Sequence, residues 1–303
     1  MACRLVPGIS SRHKPRMTAP EIFNRRIRRL RRDRAVARFS EHAFLFDHFA
    51  DGILERLDSV RRTFSRALDL GCHDGRLGRA LEMRGIEVVS ADAGLGFARA
   101  AGGIQCDEDR LPFADGSFDL VVSAGVADQI NDLPGSLALI RRALKPDGLF
   151  LAGFPGAGSL PLLRRAIIDA DLANGGAVGS RMHPMIDVRA AGDLLARAGF
   201  ALPVADGERL TVRYSSPLGI FTDLRGMAMT NMLDDQQRQS LGRSRLHAIV
   251  EGLAMQADGD GKIPESFELI FMTGWAPAPD QPRPALRGSG TRSLASALRP
   301  PHP

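Results

Sequence analysis

The sequence predicts an α/β fold in which helices cover both faces of a mainly parallel sheet. Three observations carry this. Short apolar runs at 66–70, 118–123 and 149–153 alternate with segments of helical period, the spacing of β-α-β units. Those runs are nearly all apolar, as strands covered on both faces are. The first run ends in a glycine-rich turn, Gly71-Cys72-His73-Asp74-Gly75, ahead of a helical pattern. Open α/β sheets bind ligands at that edge.

Taken in order, residues 33–60 read as helical, with Phe39, Phe46, Phe49, Ile53 and Leu57 at spacings of three, four and seven. Strand 66–70 is followed by a helix over 74–84, with Leu77, Ala80 and Leu81 on one stripe and Gly85 as its stop. Further strands are expected at 86–91, 103–106, 118–123 and 149–153. A helix over 134–144 and the turn Lys145-Pro146-Asp147-Gly148 precede the last of these. A helix over 187–198 stops at Gly199. Strand-like segments lie near 208–215 and 266–275, and the stretch 217–257 between them reads as a helical cap over the sheet or the site's mouth. From Ala276 the chain holds seven prolines with Gly and Ser and little period, which predicts a disordered or extended tail. The expected division is a basic arm over 1–38, a domain over 39–275 with a cofactor half (66–153) and a capping or substrate half (154–275), and the tail over 276–303.

The formal net charge of +5 is unevenly placed. Residues 1–38 hold twelve Lys or Arg against two acids, whereas the other 265 residues hold 28 bases and 33 acids. The arm therefore suits an acidic protein, an anionic membrane surface or simple solvation. Its Arg25–Arg32 run places Phe23, Ile27 and Leu30 on one stripe, so it is amphipathic. It carries no set of stacking aromatics, which argues against single-stranded nucleic acid. The acid-free, Arg- and Ser-bearing first 20 residues loosely match a mitochondrial transit peptide, and Met17 is an alternative start. No apolar run reaches the roughly 18–20 residues that span a bilayer. Three scattered cysteines without a C-x-x-C pair make a zinc site or disulfide framework improbable and point to a reducing compartment.

Chemistry concentrates in Leu68-Asp69-Leu70-Gly71-Cys72-His73-Asp74-Gly75. A pyrophosphate would be repelled by a carboxylate at Asp69, and the Gly71, Gly75, Gly78 spacing departs from the dinucleotide fingerprint. S-adenosylmethionine carries an ammonium and a sulfonium and no phosphate, so Asp69 favours its methionine end. Asp92 closes the second strand, where an acid accepts two ribose hydroxyls. Asp107 and Glu108 follow the third strand and suit the adenine amino group. Singly, these acids also fit a helix-side acid, a turn residue and a helix cap; their shared place at three successive strand ends favours the ligand.

These strings, with VVSADA, CDEDRLPFADGSFDLVVSAG and RRALKPDGLF, resemble the class I S-adenosylmethionine-dependent methyltransferases, whose sheet is Rossmann-like. A narrower resemblance, carried by IFNRRIRRLRRDRA, NDLPGSL, DLLARAGF, FELIFMTGW and PALRGSG, is to the complex I assembly factors described as arginine hydroxylases and their bacterial relatives. The malonyl-carrier-protein methyltransferases are a more distant likeness. The resemblance implies Asp69, Gly71, Cys72 and Gly75 as the methionine-binding turn, Asp92 as ribose acid, Asp107 with Glu108 as adenine edge and Ser123 as pocket floor. It also implies a protein substrate, conceivably a complex I subunit. The implied location is a bacterial cytoplasm, with peripheral contact at the inner membrane, or the mitochondrial matrix if the source is eukaryotic. Two departures stand out: His73 replaces the family's middle glycine, and Asp128-Gln129 replaces a His-Trp pair.

No catalytic residue is singled out. The remaining histidines, including His42, His48 and His183, show no two-His-one-carboxylate spacing, and G-x-S-x-G is absent. Methyl transfer mainly needs alignment of donor and acceptor, so a transferase is the leading reading. Arginine hydroxylation within complex I assembly, from the family alone, and a non-catalytic binding module are the alternatives. A dehydrogenase is disfavoured by Asp69 and the glycine spacing.

Overall fold

The computed structural model describes residues 21–175, 181–234 and 241–281, with Ser289 and Ser293. Its centre is a seven-stranded sheet of order β3-β2-β1-β4-β5-β7-β6. The strands are β1 (Arg66–Leu70), β2 (Glu87–Asp92), β3 (Ile104–Gln105), β4 (Phe118–Ala124), β5 (Leu144–Pro155), β6 (Ala201–Tyr214) and β7 (Ile263–Trp275). The first five are parallel neighbours; β7 runs antiparallel to both β5 and β6. The sheet is thus the expected α/β type with an antiparallel edge ribbon.

Every residue of β4 is buried, as is every residue of β1 except Arg66, because helices cover both faces. One face is packed by α2 (Phe39–His42), α3 (Phe44–Asp58), α4 (Arg76–Glu82) and α5 (Leu95–Ala100), together with α7 (Pro161–Ala173), α9 (Pro217–Gly226) and α10 (Arg243–Ala254). Phe39, Phe46, Phe49 and Ile53 meet Phe267 and Phe271 there. The other face is packed by α6 (Leu133–Ala143) and α8 (Val188–Arg197), with Leu137, Ile140 and Leu195 against Phe150 and Phe154. Each such side chain contributes about 1.5–3 kcal/mol by leaving water.

Several boundaries differ from expectation for physical reasons. The helix expected over 33–60 is three pieces: α1 (Arg25–Ala35), a 3₁₀ turn at Val36–Arg38 leading into α2, and then α3. The turn expected at 145–148 lies inside the 12-residue β5, with Asp147 at φ +60° and a register shift opposite Phe118 and Leu120. Helix α7 occupies a stretch where no element was expected; Pro161 opens it at the first helical position. The cap region 217–257 holds α9 and α10, and residues 235–240 between them lie outside the described residues. Of the tail, Ala276 donates to the Gly148 carbonyl at 2.8 Å and Gln281 to Asp147 at 2.8 Å; the remainder, like residues 1–20, lies outside the described residues apart from two serines.

Helix α1 corrects the reading of its amphipathic stripe. Phe23 is buried and Ile27 partly buried, but Leu30 is 46% exposed, while Arg28 and Arg32 are 4% and 1% exposed. The charged face turns inward because carboxylates wait for it at the ends of β2 and β3.

Candidate active site

The glycine turn after β1 is fixed by backbone geometry. The Gly71 and Cys72 amides both donate to the Ala91 carbonyl of β2, at 2.8 and 3.1 Å. Gly71 and Gly75 have φ of +80° and +78°, and a Cβ on Gly71 would sit 2.6 Å from Val126; only glycine takes both the dihedral and the contact without strain. Asp69 stands one turn below. Its Oδ2 accepts from the Gly78 amide at 3.1 Å and its Oδ1 is buried without a partner. Burial, with help from the neighbouring Asp92 charge, raises the Asp69 carboxyl to about 7.

Asp92, fully buried at the end of β2, accepts from the Gly94 amide at 2.7 Å and the His73 amide at 3.1 Å. Both of its oxygens are also gripped by Arg32, at 2.8 and 2.5 Å. Next along the edge, Glu108 is held bidentately by Arg28 at 2.6 and 2.7 Å. Asp107 takes Arg29 at 2.6 Å, and Asp109 takes both ends of Arg25 at 2.7 Å. Residues 25, 28, 29 and 32 share one face of α1 by helical spacing. Four arginines of the helix therefore close over four carboxylates of the sheet edge.

His73 fills the space between turn and helix. Its φ of +48° is left-handed, a conformation that costs a side-chain-bearing residue about 1–2 kcal/mol. Its ring stacks on Phe39 (centroids 5.0 Å apart, planes at 16°) and contacts Phe46 and Phe97 at 4.2 and 5.4 Å. Burial and the nearby Arg32 hold its pKa well below the usual histidine value, so the ring is neutral, with Nε2 unpartnered. About 10 Å³ of free volume remains among Phe39, Phe46, Asp69, Gly71 and His73, about enough for one water and no more.

The structure thus brings Asp69 of β1, the turn residues Gly71, Cys72 and Gly75, and Asp92 at the end of β2 together, with Asp92 accepting from the turn's His73 amide. Asp107 and Glu108 lie on the adjoining rim, joined to that turn through α1. Cys72 is buried, with its thiol pushed up by burial. Ser123 is buried in β4 opposite Ala152 and makes no side-chain hydrogen bond among the described residues. It follows Val122, the residue of β4 paired with Asp69. The sequence reading missed Arg28 and Arg32 as site residues; the signal was present, in arginines at helical spacing facing the Asp107-Glu108-Asp109 run. Beyond β4, Asp128 and Gln129 are buried with unpartnered Asp128 Oδ1 and Gln129 Oε1. Burial raises the Asp128 carboxyl to about 7. His183 is also buried; it accepts from the Met232 amide at 2.9 Å, and burial lowers it to about 4. Among the described residues no group of three or more His, Cys, Asp or Glu is placed to hold a metal.

The donor set suits a cationic, phosphate-free nucleoside. It offers carboxylates at three strand ends and one buried carboxylate oxygen with no partner; the cations beside the glycine turn are already engaged, Arg76 by Asp74 at 2.7 Å, Arg79 by the Asp74 carbonyl at 2.8 Å and the α1 arginines by the rim acids. With Arg32 and the His73 ring where they stand, the space of about 10 Å³ does not admit a nucleoside.

Comparison with known proteins agrees with this arrangement. Residues 68–152 match the family described as a methyltransferase domain, which supports S-adenosylmethionine as cofactor and an enzyme of methyltransferase type. The chain is 31% identical to the mitochondrial arginine-hydroxylase NDUFAF5 of Danio rerio over 90% of its own length and 88% of the relative's. The human counterpart is 30% identical over 95% and 86%. A malonyl-[acyl-carrier protein] O-methyltransferase of Methylovorus sp. (strain MP688) is 32% identical over 81% and 86%. Among solved structures the fold is similar to the YcgJ protein of Bacillus subtilis, with a TM-score of 0.52 at 19% identity over 76% of this chain and 98% of that one. On these grounds the chain belongs to the methyltransferase-domain family that contains the NDUFAF5 arginine-hydroxylases and the malonyl-[acyl-carrier protein] O-methyltransferases.

Proposed function

We propose that the chain is an S-adenosylmethionine-dependent methyltransferase acting on a group carried by a protein. In this reading Asp69, Gly71, Cys72, Gly75, Asp92, Asp107, Glu108 and Ser123 hold the cofactor. The observation that carries it is Asp69 with its unpartnered buried oxygen, beside Asp92, at the ligand-binding edge of a parallel sheet. When bound, the cofactor supplies a methyl group on a positively charged sulfonium. Asp69 meets the ammonium, and a cation beside it draws its pKa back down. Asp92 receives the ribose hydroxyls after Arg32 releases it. In this reading Asp128, whose buried carboxyl is raised to about 7, accepts the proton the acceptor loses as general base, in its deprotonated form. The relatives' names place their chemistry on an arginine and on a carrier-protein-bound malonyl group, which supports a protein-borne acceptor.

The test is calorimetric titration of the full chain with S-adenosylmethionine, S-adenosylhomocysteine and NAD. The first two bind and NAD does not. Arg32→Ala binds the cofactor more tightly than wild type, because Asp92 is already free, and Asp92→Asn binds at least about tenfold more weakly. Absence of S-adenosylmethionine binding in both wild type and Arg32→Ala overturns the reading.

Arginine hydroxylation of a complex I iron–sulfur subunit is the second reading, favoured by identity to NDUFAF5 across nine-tenths of the chain. Mass spectrometry of that subunit from a deletion strain decides it; retention of the hydroxylated arginine excludes it. For location, no helix among the described residues is long and apolar enough to cross a membrane. We infer peripheral contact through residues 1–38 as the finer reading, checked by membrane partition with and without that arm.

A further inference from the structure

The outward face of α1 builds a second site. A cleft of about 500 Å³ lies between α1, the 3₁₀ turn and α2 on one side and α9 with the segment to Thr230 on the other. Its polar wall is Arg31, Arg34, Arg38, Arg225, Thr222 and Thr230. The acids nearby are engaged: Glu41 holds Arg38 at 2.7 Å, and Asp223 holds His42 at 2.8 Å. Arg31 donates to the Asn231 carbonyl. Arg34 and Arg225 have no side-chain hydrogen bond or ion pair among the described residues.

This contrasts with the inward face of the same helix, where Arg25, Arg28, Arg29 and Arg32 each have a carboxylate. Arg34 and Arg225 lie in the last turns of α1 and α9, where the carbonyl end of each helix favours positive charge. The cleft therefore remains cationic without a ligand.

We propose that this cleft binds a phosphate ester or pyrophosphate group. Arg34 and Arg225, both without a carboxylate partner among the described residues, line one concavity, and guanidinium forks suit a tetrahedral, doubly charged oxyanion. Among the described residues no Phe, Tyr or Trp lines the cleft, and the His42 ring on its wall is held by Asp223 at 2.8 Å, so the recognised part is the phosphate and not a nucleobase.

The experiment titrates the full chain with inorganic pyrophosphate at constant ionic strength, with chloride as control. A parallel arm sediments it with vesicles of phosphatidylglycerol or of phosphatidylcholine. Saturable pyrophosphate binding, weakened at least about tenfold in the Arg34→Gln/Arg225→Gln variant and unchanged in Arg165→Gln, supports a free phosphate ligand. Binding only to phosphatidylglycerol vesicles, lost in the same double variant, supports the phosphate of a lipid headgroup. Arg34→Lys/Arg225→Lys keeps the charge without the fork and is expected between the two. Circular dichroism checks that the double variant is folded; both residues are exposed, so it folds. Binding to neither probe, or binding that the double variant leaves intact, overturns the proposal.

Discussion

Two sets of buried carboxylates lie at one end of the parallel sheet, and they are treated differently. On the rim, Asp92, Glu108 and Asp107 each hold an arginine of α1. On the floor, Asp69 and Asp128 are as deeply buried but have no cationic partner and keep one oxygen bare. Burial drives the floor acids up to about 7, whereas each rim carboxylate faces a guanidinium within 2.5–2.6 Å. A buried charge without a partner is tolerated where a ligand brings the partner. The rim shows what that partner looks like, since a guanidinium occupies the place assigned to the nucleoside.

The largest effect is expected on the rim. Arg28→Met strands Glu108, which is 1% exposed, and removal of one member of such a pair costs about 3–5 kcal/mol. Urea denaturation at neutral pH reads this, and adding Glu108→Gln restores most of the loss. A double variant no more stable than the single one would show that the pair is not the cause.

The floor acids respond to pH. The Asp69 pKa rises from about 3.9 unfolded to about 7 folded, so between these values the native state binds more protons. Its contribution is therefore intact below about pH 4 and is lost as pH rises through 7. Asp69→Asn is then more stable than wild type at pH 8 by on the order of 2–4 kcal/mol, with little difference at pH 4, while cofactor affinity falls. Asp128→Asn follows the same sign. Thermal midpoints across pH measure this, and a pH-independent difference would place the floor acids with the rim.

The smallest effect lies outside both sets. Arg165 and Asp169 form a solvent-exposed pair at 2.7 Å, and Arg165→Gln leaves the unfolding midpoint unchanged, because such pairs are screened by water and salt. A clear destabilisation there would undermine ranking ion pairs by burial.

The sequence by itself determined the sheet's parallel half and the identity of the acid edge. Strand apolarity, the Gly71–Gly75 turn and acids at the ends of three strands are local features, set by side-chain type and spacing. Less of the far half was legible: α7 has a short apolar pattern without a distinctive start, and the length of β5 depends on pairing with β7 through residues such as Leu149 and Trp275. Tertiary structure alone decided the role of α1. Helical spacing makes Arg25, Arg28, Arg29 and Arg32 one face, but whether that face meets water or carboxylates depends on packing between segments about 60–80 residues apart. The same holds for His73, whose ring is placed by Phe39, Phe46 and Phe97 from other elements. Residue chemistry is written locally; which charge ends beside which is fixed only when distant elements pack and exclude water.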